Sequence, residues 1–258
     1  MSLPFVLGTL TRGSTQITGT ANPVYAGLIS TAEEGFVHSH VKLLDESGFF
    51  VESVCAWILQ DSNIPSPQAF WIKVNKAVLP RRSSWPYGEL DSMLCFGTRT
   101  VINARTLKQE PSAEIAQKLL RWDSCHSSGV FDEALANDDR QVGNILTNGK
   151  GFWLIDHGRS FANAYREPKS LLTHTSPLFS NMFLDIIAAE KISVRMKLRG
   201  KVNTACGQII ASINALPLDE FVKNPDLRNG IRHFLNSRSE KLIENCMKKL
   251  GLDELKLN

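Results

Sequence analysis

The sequence predicts an α+β protein in two parts: a β-rich first part with one helix over residues 1–102, and a larger, mainly helical second part over 103–258. Three observations lead there. Before residue 100, apolar and polar residues alternate with period two, the mark of half-buried strands, as in F-V-H-S-H-V-K-L at 36–43. From Pro111 onward, apolar residues recur at helical spacing. Between these regimes, residues 137–161 read as polar loop, short strand, glycine-flanked turn and second strand, with carboxylates and an amide at one end.

The elements follow in chain order. Residues 3–30 are short runs, such as 24–29, punctuated by Gly8, Gly13, Gly19 and Gly27, and read as strands and hairpins. The stretch T-R-G-S-T-Q-I-T-G-T is a candidate turn over a phosphate, although glycine hairpins are mostly only hairpins. The strand at 36–43 puts Phe36, His38, His40 and Lys42 on one face, with Val37, Ser39, Val41 and Leu43 on the other. A helix starts near Ser47, with Phe50, Val54, Trp57 and Ile58 at helical spacing and Glu52 early in it. S-N-I-P-S-P at 62–67 breaks that helix, and 68–74 is an aromatic, β-branched strand carrying Lys73. Residues 75–91 read as a long loop, and 93–101 as a short strand and turn linking the two parts.

In the second part, a helix starts at Pro111 or Ser112, with Ile115, Leu119 and Trp122 on one face. Residues 129–136 lead into the central stretch. Residues 158–176 are polar, with nearby prolines, and read as a mobile segment. Helices are expected over 178–198, 202–214, 217–223 and 226–250. The basic run Lys191, Arg195, Lys197, Arg199 and Lys201 reads as a solvated helix face.

Composition excludes several classes. The 258 residues suffice for a sizeable core, and 43% apolar with 21% charged residues is ordinary for a globular chain. A net charge of +3 argues for neither nucleic acid nor membrane as partner. No apolar run is long enough to span a bilayer. The N-terminus lacks a signal peptide's charged start and apolar core. Five scattered cysteines without a C-x-x-C pair suggest neither zinc nor disulfides, and the expected setting is reduced and cytoplasmic. His38 and His40 form a two-histidine pair without a third ligand beside it, and no G-x-S-x-G elbow is present.

The chemistry-bearing residues are Asp139, Asn144 five positions on, and Asp156 at the end of the apolar run 152–155, where a buried, oriented carboxylate is expected. Phosphoryl transfer of the protein-kinase type uses such a trio: one Asp orients the acceptor hydroxyl, while an Asn and a second Asp hold magnesium on the phosphates. A strand ending in Lys42 before a helix with Glu52 can supply the ion pair that fixes a lysine on the phosphates. The bland alternative for that pair is a surface lysine and a surface glutamate. Lys73 is the rival lysine, but no helix with an acidic partner follows it.

Four motifs give the chain a family likeness. They are Lys42 and Glu52 followed by S-N-I-P-S-P-Q-A-F; F-G-T-R at 96–99; N-D-D-R-Q-V-G-N-I-L; and W-L-I-D-H-G at 153–158. Together they resemble the HipA-like kinases of bacteria, especially the short stand-alone group, over about residues 20–165. The resemblance implies a two-lobed protein-kinase-like fold with ATP and Mg²⁺ between the lobes. It implies Lys42 on the α/β-phosphates fixed by Glu52, Asp139 at the acceptor hydroxyl, and Asn144 and Asp156 on the metal. The acceptor would be a Ser or Thr of a protein, with an operon-encoded partner as a further expectation. His157 would support the Asp156 loop. Phosphoinositide kinases have a similar arrangement, so a small-molecule or lipid kinase, a nucleotidyl transferase and a silent nucleotide-binding module stay open. The chain departs from the pattern at Gln141, where related kinases often carry His. It departs again at His40, two before Lys42, which would stack on the adenine or crowd it. It shows no good Gly-rich loop, and the extra amino-terminal domain of the longer HipA toxins is not expected in it.

Overall fold

The computed structural model describes residues 5–80, 83, 85–163 and 181–253. The chain divides into two compact units, one of residues 1–56 and 67–102, the other of 57–66 and 103–258.

The first unit is a six-stranded sheet: β1 (Val6–Leu10), β2 (Thr15–Ile17), β3 (Val24–Thr31), β4 (Gly35–Lys42), β5 (Ala69–Asn75) and β6 (Ser92–Arg99), in the order β1-β5-β6-β4-β3-β2. β1 runs parallel to β5 and also pairs antiparallel with β3, so the sheet closes on itself through β1. The core inside is made of alternate residues, among them Leu10, Tyr25, Ile29, Val37, Val41, Phe70, Ile72 and Cys95. The alternation read from 36–43 holds: Val37, Ser39 and Val41 are buried, Phe36 and His38 exposed, and His40 and Lys42 half-buried. Helix α1 (Glu46–Asp61) starts one residue before the sequence suggested. Asp45 caps it, its carboxylate accepting from the backbone N–H of Gly48 at 2.7 Å.

Residues 93–101 do hold the expected strand, and the first unit ends just after them at Ile102, but the strand is not short. Most of them form β6, eight residues long and flanked by β5 and β4. The F-G-T-R motif explains why. Phe96 is buried, and a Cβ at Gly97 would lie 2.3 Å from Ile72 Cδ1 and 2.8 Å from the His40 carbonyl oxygen. Arg99 donates to Glu34 at 2.6 Å and to Gln68 at 2.8 Å, with its guanidinium 5.7 Å from the Phe70 ring centre. The Arg99 hydrogen bonds hold the Glu34 carboxyl below the usual range. Because a backbone carbonyl cannot step aside, Gly97→Ala should destabilise the protein by about 1–3 kcal/mol, the scale of overpacking. A thermal melt unchanged from wild type would show that β4 gives way instead.

The second unit holds a three-stranded sheet, β7 (Arg105–Thr106), β8 (Ile145–Thr147) and β9 (Phe152–Leu154), in the order β7-β8-β9. Its helices are α2 (Ser112–Leu120), α3 (Cys125–Ala134), α4 (Met182–Ala188), α5 (Ile192–Ala215), α6 (Leu218–Phe221) and α7 (Pro225–Lys249). The expected helices 178–198 and 202–214 are divided differently. The break falls at 189–191, and α5 runs through Gly200, because one glycine costs a helix only about 1 kcal/mol. The mobile segment expected at 158–176 lies outside the described residues beyond Asn163, and the start of the helix expected from 178 lies outside them before Asn181. All five cysteines are buried and free. No helix among the described residues is long and apolar enough to cross a membrane.

Helix α3 was missed as a helix because it has no polar face: Ser128, Asp132 and Glu133 are buried along with Val130 and Phe131. Arg238 on α7 donates to the Glu133 carboxylate at 2.9 Å and to the backbone carbonyls of Glu133 and Ala134 at 3.0 and 3.1 Å. Burial pushes Glu133 up to about 7, against the opposing pull of Arg238. A carboxyl raised in the folded state is protonated in both states at low pH and charged in both above about 7. Stability should therefore fall as pH rises from about 4.5 to 7, by at most about 3 kcal/mol. Melts of wild type and Glu133→Gln at pH 5 and pH 8 test this: wild type should lose ground to the variant at the higher pH.

Candidate active site

The hairpin of the second unit forms as its sequence dictates. Ile145, Leu146 and Thr147 pair with Leu154, Trp153 and Phe152. Asn148 Oδ1 accepts from the N–H groups of Lys150 and Gly151 at 3.0 and 3.1 Å, and Gly149 takes a φ of 83°. The open end of this hairpin joins two loops, 135–144 before β8 and 155–159 after β9. The backbone N–H of Ile155 bonds the Asn144 carbonyl at 3.1 Å, so the entry of one loop is tied to the exit of the other.

Arg140 holds both loops. Its side chain and that of Asp132 are almost completely buried, at 1% and 0% exposure. It donates to the Asp132 carboxylate at 3.1 Å, to the Asn144 carbonyl at 3.1 Å, to the Ile155 carbonyl at 2.8 Å and to His157 Nδ1 at 2.8 Å. Because arginine only donates, His157 Nδ1 accepts, which puts its proton on Nε2. The His157 ring also meets Phe131 edge-on at 5.6 Å. Asn137 completes the cluster, donating to Asp132 at 2.8 Å and accepting from the Asp139 N–H at 3.3 Å. Burial pushes the Asp132 carboxyl up, while the Arg140 guanidinium and the Asn137 amide push it back.

This frame displays three expected residues. Asn144 is buried, and its Nδ2 donates to the Asp139 carbonyl at 2.9 Å, leaving the amide oxygen as its acceptor atom. Asp139 is half-buried, and its carboxylate makes no hydrogen bond or ion pair among the described residues. Asp156 is exposed, not the buried carboxylate expected at the end of an apolar strand, because the chain leaves β9 at Leu154 and turns outward. Its φ of 57° is rare for a residue with a side chain, as is the 49° of Ala136 at the loop's entry. Sequence reasoning missed Asp132 and gave Arg140 and Asn137 no part. The D-R pair was visible, but its acidic partner lies on the preceding helix.

The remaining expected residues lie in the first unit. Lys42 Nζ pairs with Glu52 Oε1, and the side chains are 19% and 3% exposed. The pair is thus not the surface pair of the bland reading. Lys73 is exposed on β5. His40 Nδ1 lies 3.3 Å from Thr100 Oγ1, and burial pushes its imidazole below the usual value.

A sequence profile described as HipA-like kinase matches residues 32–249. The chain belongs to the HipA-like kinase family. Among solved structures it is similar to the Helicobacter pylori proinflammatory kinase CtkA, at 13% identity and a TM-score of 0.56, covering 96% of this chain and 99% of that one. That likeness is one of fold. No curated protein matches the chain. The residues just described therefore lie in a chain of a kinase family.

Proposed function

We propose that this kinase transfers the γ-phosphoryl group of ATP to a Ser or Thr hydroxyl of a protein, with Mg²⁺, and that its two units are the small and large lobes of a protein-kinase-like fold. The carrying observation is the Arg140 cluster: one buried guanidinium binds the loop of Asp139 and Asn144 to the turn of Asp156. Phosphoryl transfer needs such fixed positions more than it needs covalent chemistry.

In this reading Lys42 binds the α/β-phosphates and Glu52 holds its ammonium in place. His40, neutral, borders the base. Asp139 orients the acceptor hydroxyl and receives its proton. The oxygen-only donors of Asn144 and Asp156 suit a hard cation such as Mg²⁺. Bound there, the metal would neutralise charge on the phosphates.

Incubation with γ-labelled and α-labelled ATP and a cell lysate tests the proposal. Label should pass to protein from the γ position only. Transfer from the α position would make the chain a nucleotidyl transferase, transfer to lipid or metabolite would replace the acceptor class, and no transfer would reject the kinase. Lys42→Met should cut transfer by at least about 100-fold, the loss expected from removing a preorganised charge contact, whereas Lys73→Met should leave it near wild type. The reverse result would move the nucleotide to β5 and dissolve the role of Glu52.

A further inference from the structure

In the second unit, a groove of about 510 Å³ opens against the loop of Asp139, lined by the residues on either side of it, Asp138 and Arg140. Its other walls are α2 and α4. Leu120, Met182 and Ile186 give it an apolar lining, and Asp138, Asp185 and Glu190 give it carboxylates. The volume is in the range of sites that take a few side chains of a ligand.

The charges in the groove do not cancel. Arg140 is spent on Asp132 and three further acceptors, and its side chain is 1% exposed. Asp138 faces Arg159 at 3.2 Å, and Asp185 faces Lys249 at 2.7 Å. The Glu190 carboxylate has no ion-pair partner among the described residues and is half-buried in the groove wall. An occupant that leaves this surface satisfied brings apolar atoms for the lining and one positive charge for Glu190.

We propose that the groove between α2 and α4 holds the acceptor segment, and that this kinase selects a Ser or Thr with an apolar residue and a Lys or Arg close by. The inference rests on the kinase reading above and adds the chemistry of the acceptor. Glu190 is here a specificity residue, remote from the reacting atoms, and Ile186 supplies apolar contact.

The test uses synthetic serine peptides in three sets: Leu with Arg, Leu with Glu, and Ser with Arg near the acceptor. Wild type should phosphorylate the Leu/Arg set at least about tenfold faster than the Leu/Glu set, a discrimination of about 1.4 kcal/mol. Glu190→Gln should bring that ratio toward one, and Glu190→Lys should invert it. Ile186→Ser should narrow the advantage of Leu/Arg over Ser/Arg. Each ratio is internal to one preparation, so a partly unfolded variant does not distort it. An active wild type with no preference, or a Glu190→Lys ratio equal to wild type, overturns the groove and leaves the kinase standing. A wild type that consumes no ATP with any peptide or lysate protein overturns both.

Discussion

Asp139→Ala should bind Mg-ATP within about threefold of wild type, under roughly 1 kcal/mol, yet lose at least about 100-fold in transfer, the scale of a positioned acid–base group. The structure gives the physical reason. The backbone at 139 is held on both sides, its N–H by Asn137 Oδ1 at 3.3 Å and its carbonyl by Asn144 Nδ2 at 2.9 Å. Neither bond uses the Asp139 side chain, so alanine keeps the loop. Its carboxylate also makes no hydrogen bond or ion pair among the described residues, and the change in stability should stay within about 0.5 kcal/mol. A carboxylate gains nothing from the phosphates alone, because like charges repel. In the proposed reading its contribution arises when an acceptor oxygen is aligned on the γ-phosphate, which is a transition-state contribution and should appear in kcat. Calorimetric titration with Mg-ATP and single-turnover transfer on one preparation separate the outcomes. Full transfer in the variant removes Asp139 from the chemistry. Lost ATP binding makes it a nucleotide contact.

The parts of this protein that sequence made legible are those whose pattern is local. Period-two alternation placed β4 and the shared face of His40 and Lys42, and N-G-K-G placed the β8–β9 turn. Both depend on residues within a few positions of each other. The spacing of Asp139 and Asn144 was equally local, and the structure joins them through the Asn144 amide. What was not legible depends on distant chain. β6 reads as a linking strand until Gly97 is set against Ile72 and the His40 carbonyl, partners supplied by two other strands. Helix α3 hides because its polar residues are buried against partners beyond the helix, Asp132 against Arg140 and Glu133 against Arg238, which lies 105 positions away. The exposure of Asp156 was misread because an apolar run says where a strand is, not where the chain turns after it.

Arg140→Met should cost about 3–5 kcal/mol, since it strands the buried Asp132 carboxylate without its cation. In a chain of this size each kcal/mol moves the melting temperature by about 2–4 °C, so the drop should be on the order of 10 °C. The loss should shrink as pH falls. Without the guanidinium, burial raises the Asp132 carboxyl further, and a protonated Asp132 is neutral where the unfolded chain is charged. Removing both members of the pair is a different experiment. Asp132→Leu with Arg140→Met replaces a buried ion pair by apolar side chains, a change that is often neutral or stabilising, and more than half of the lost stability should return. Transfer should not return with it. The Asn144 carbonyl keeps the N–H of Ile155, but the Ile155 carbonyl and His157 Nδ1 lose the donor that set the turn of Asp156. A misplacement of about 1 Å in such a site can cost about 100-fold in rate. Melting curves and single-turnover transfer on the single and double variants should therefore part company, stability rising in the double variant while transfer stays low. If both recover, Arg140 serves only to neutralise Asp132, and the two loops are held to their places by the hairpin alone.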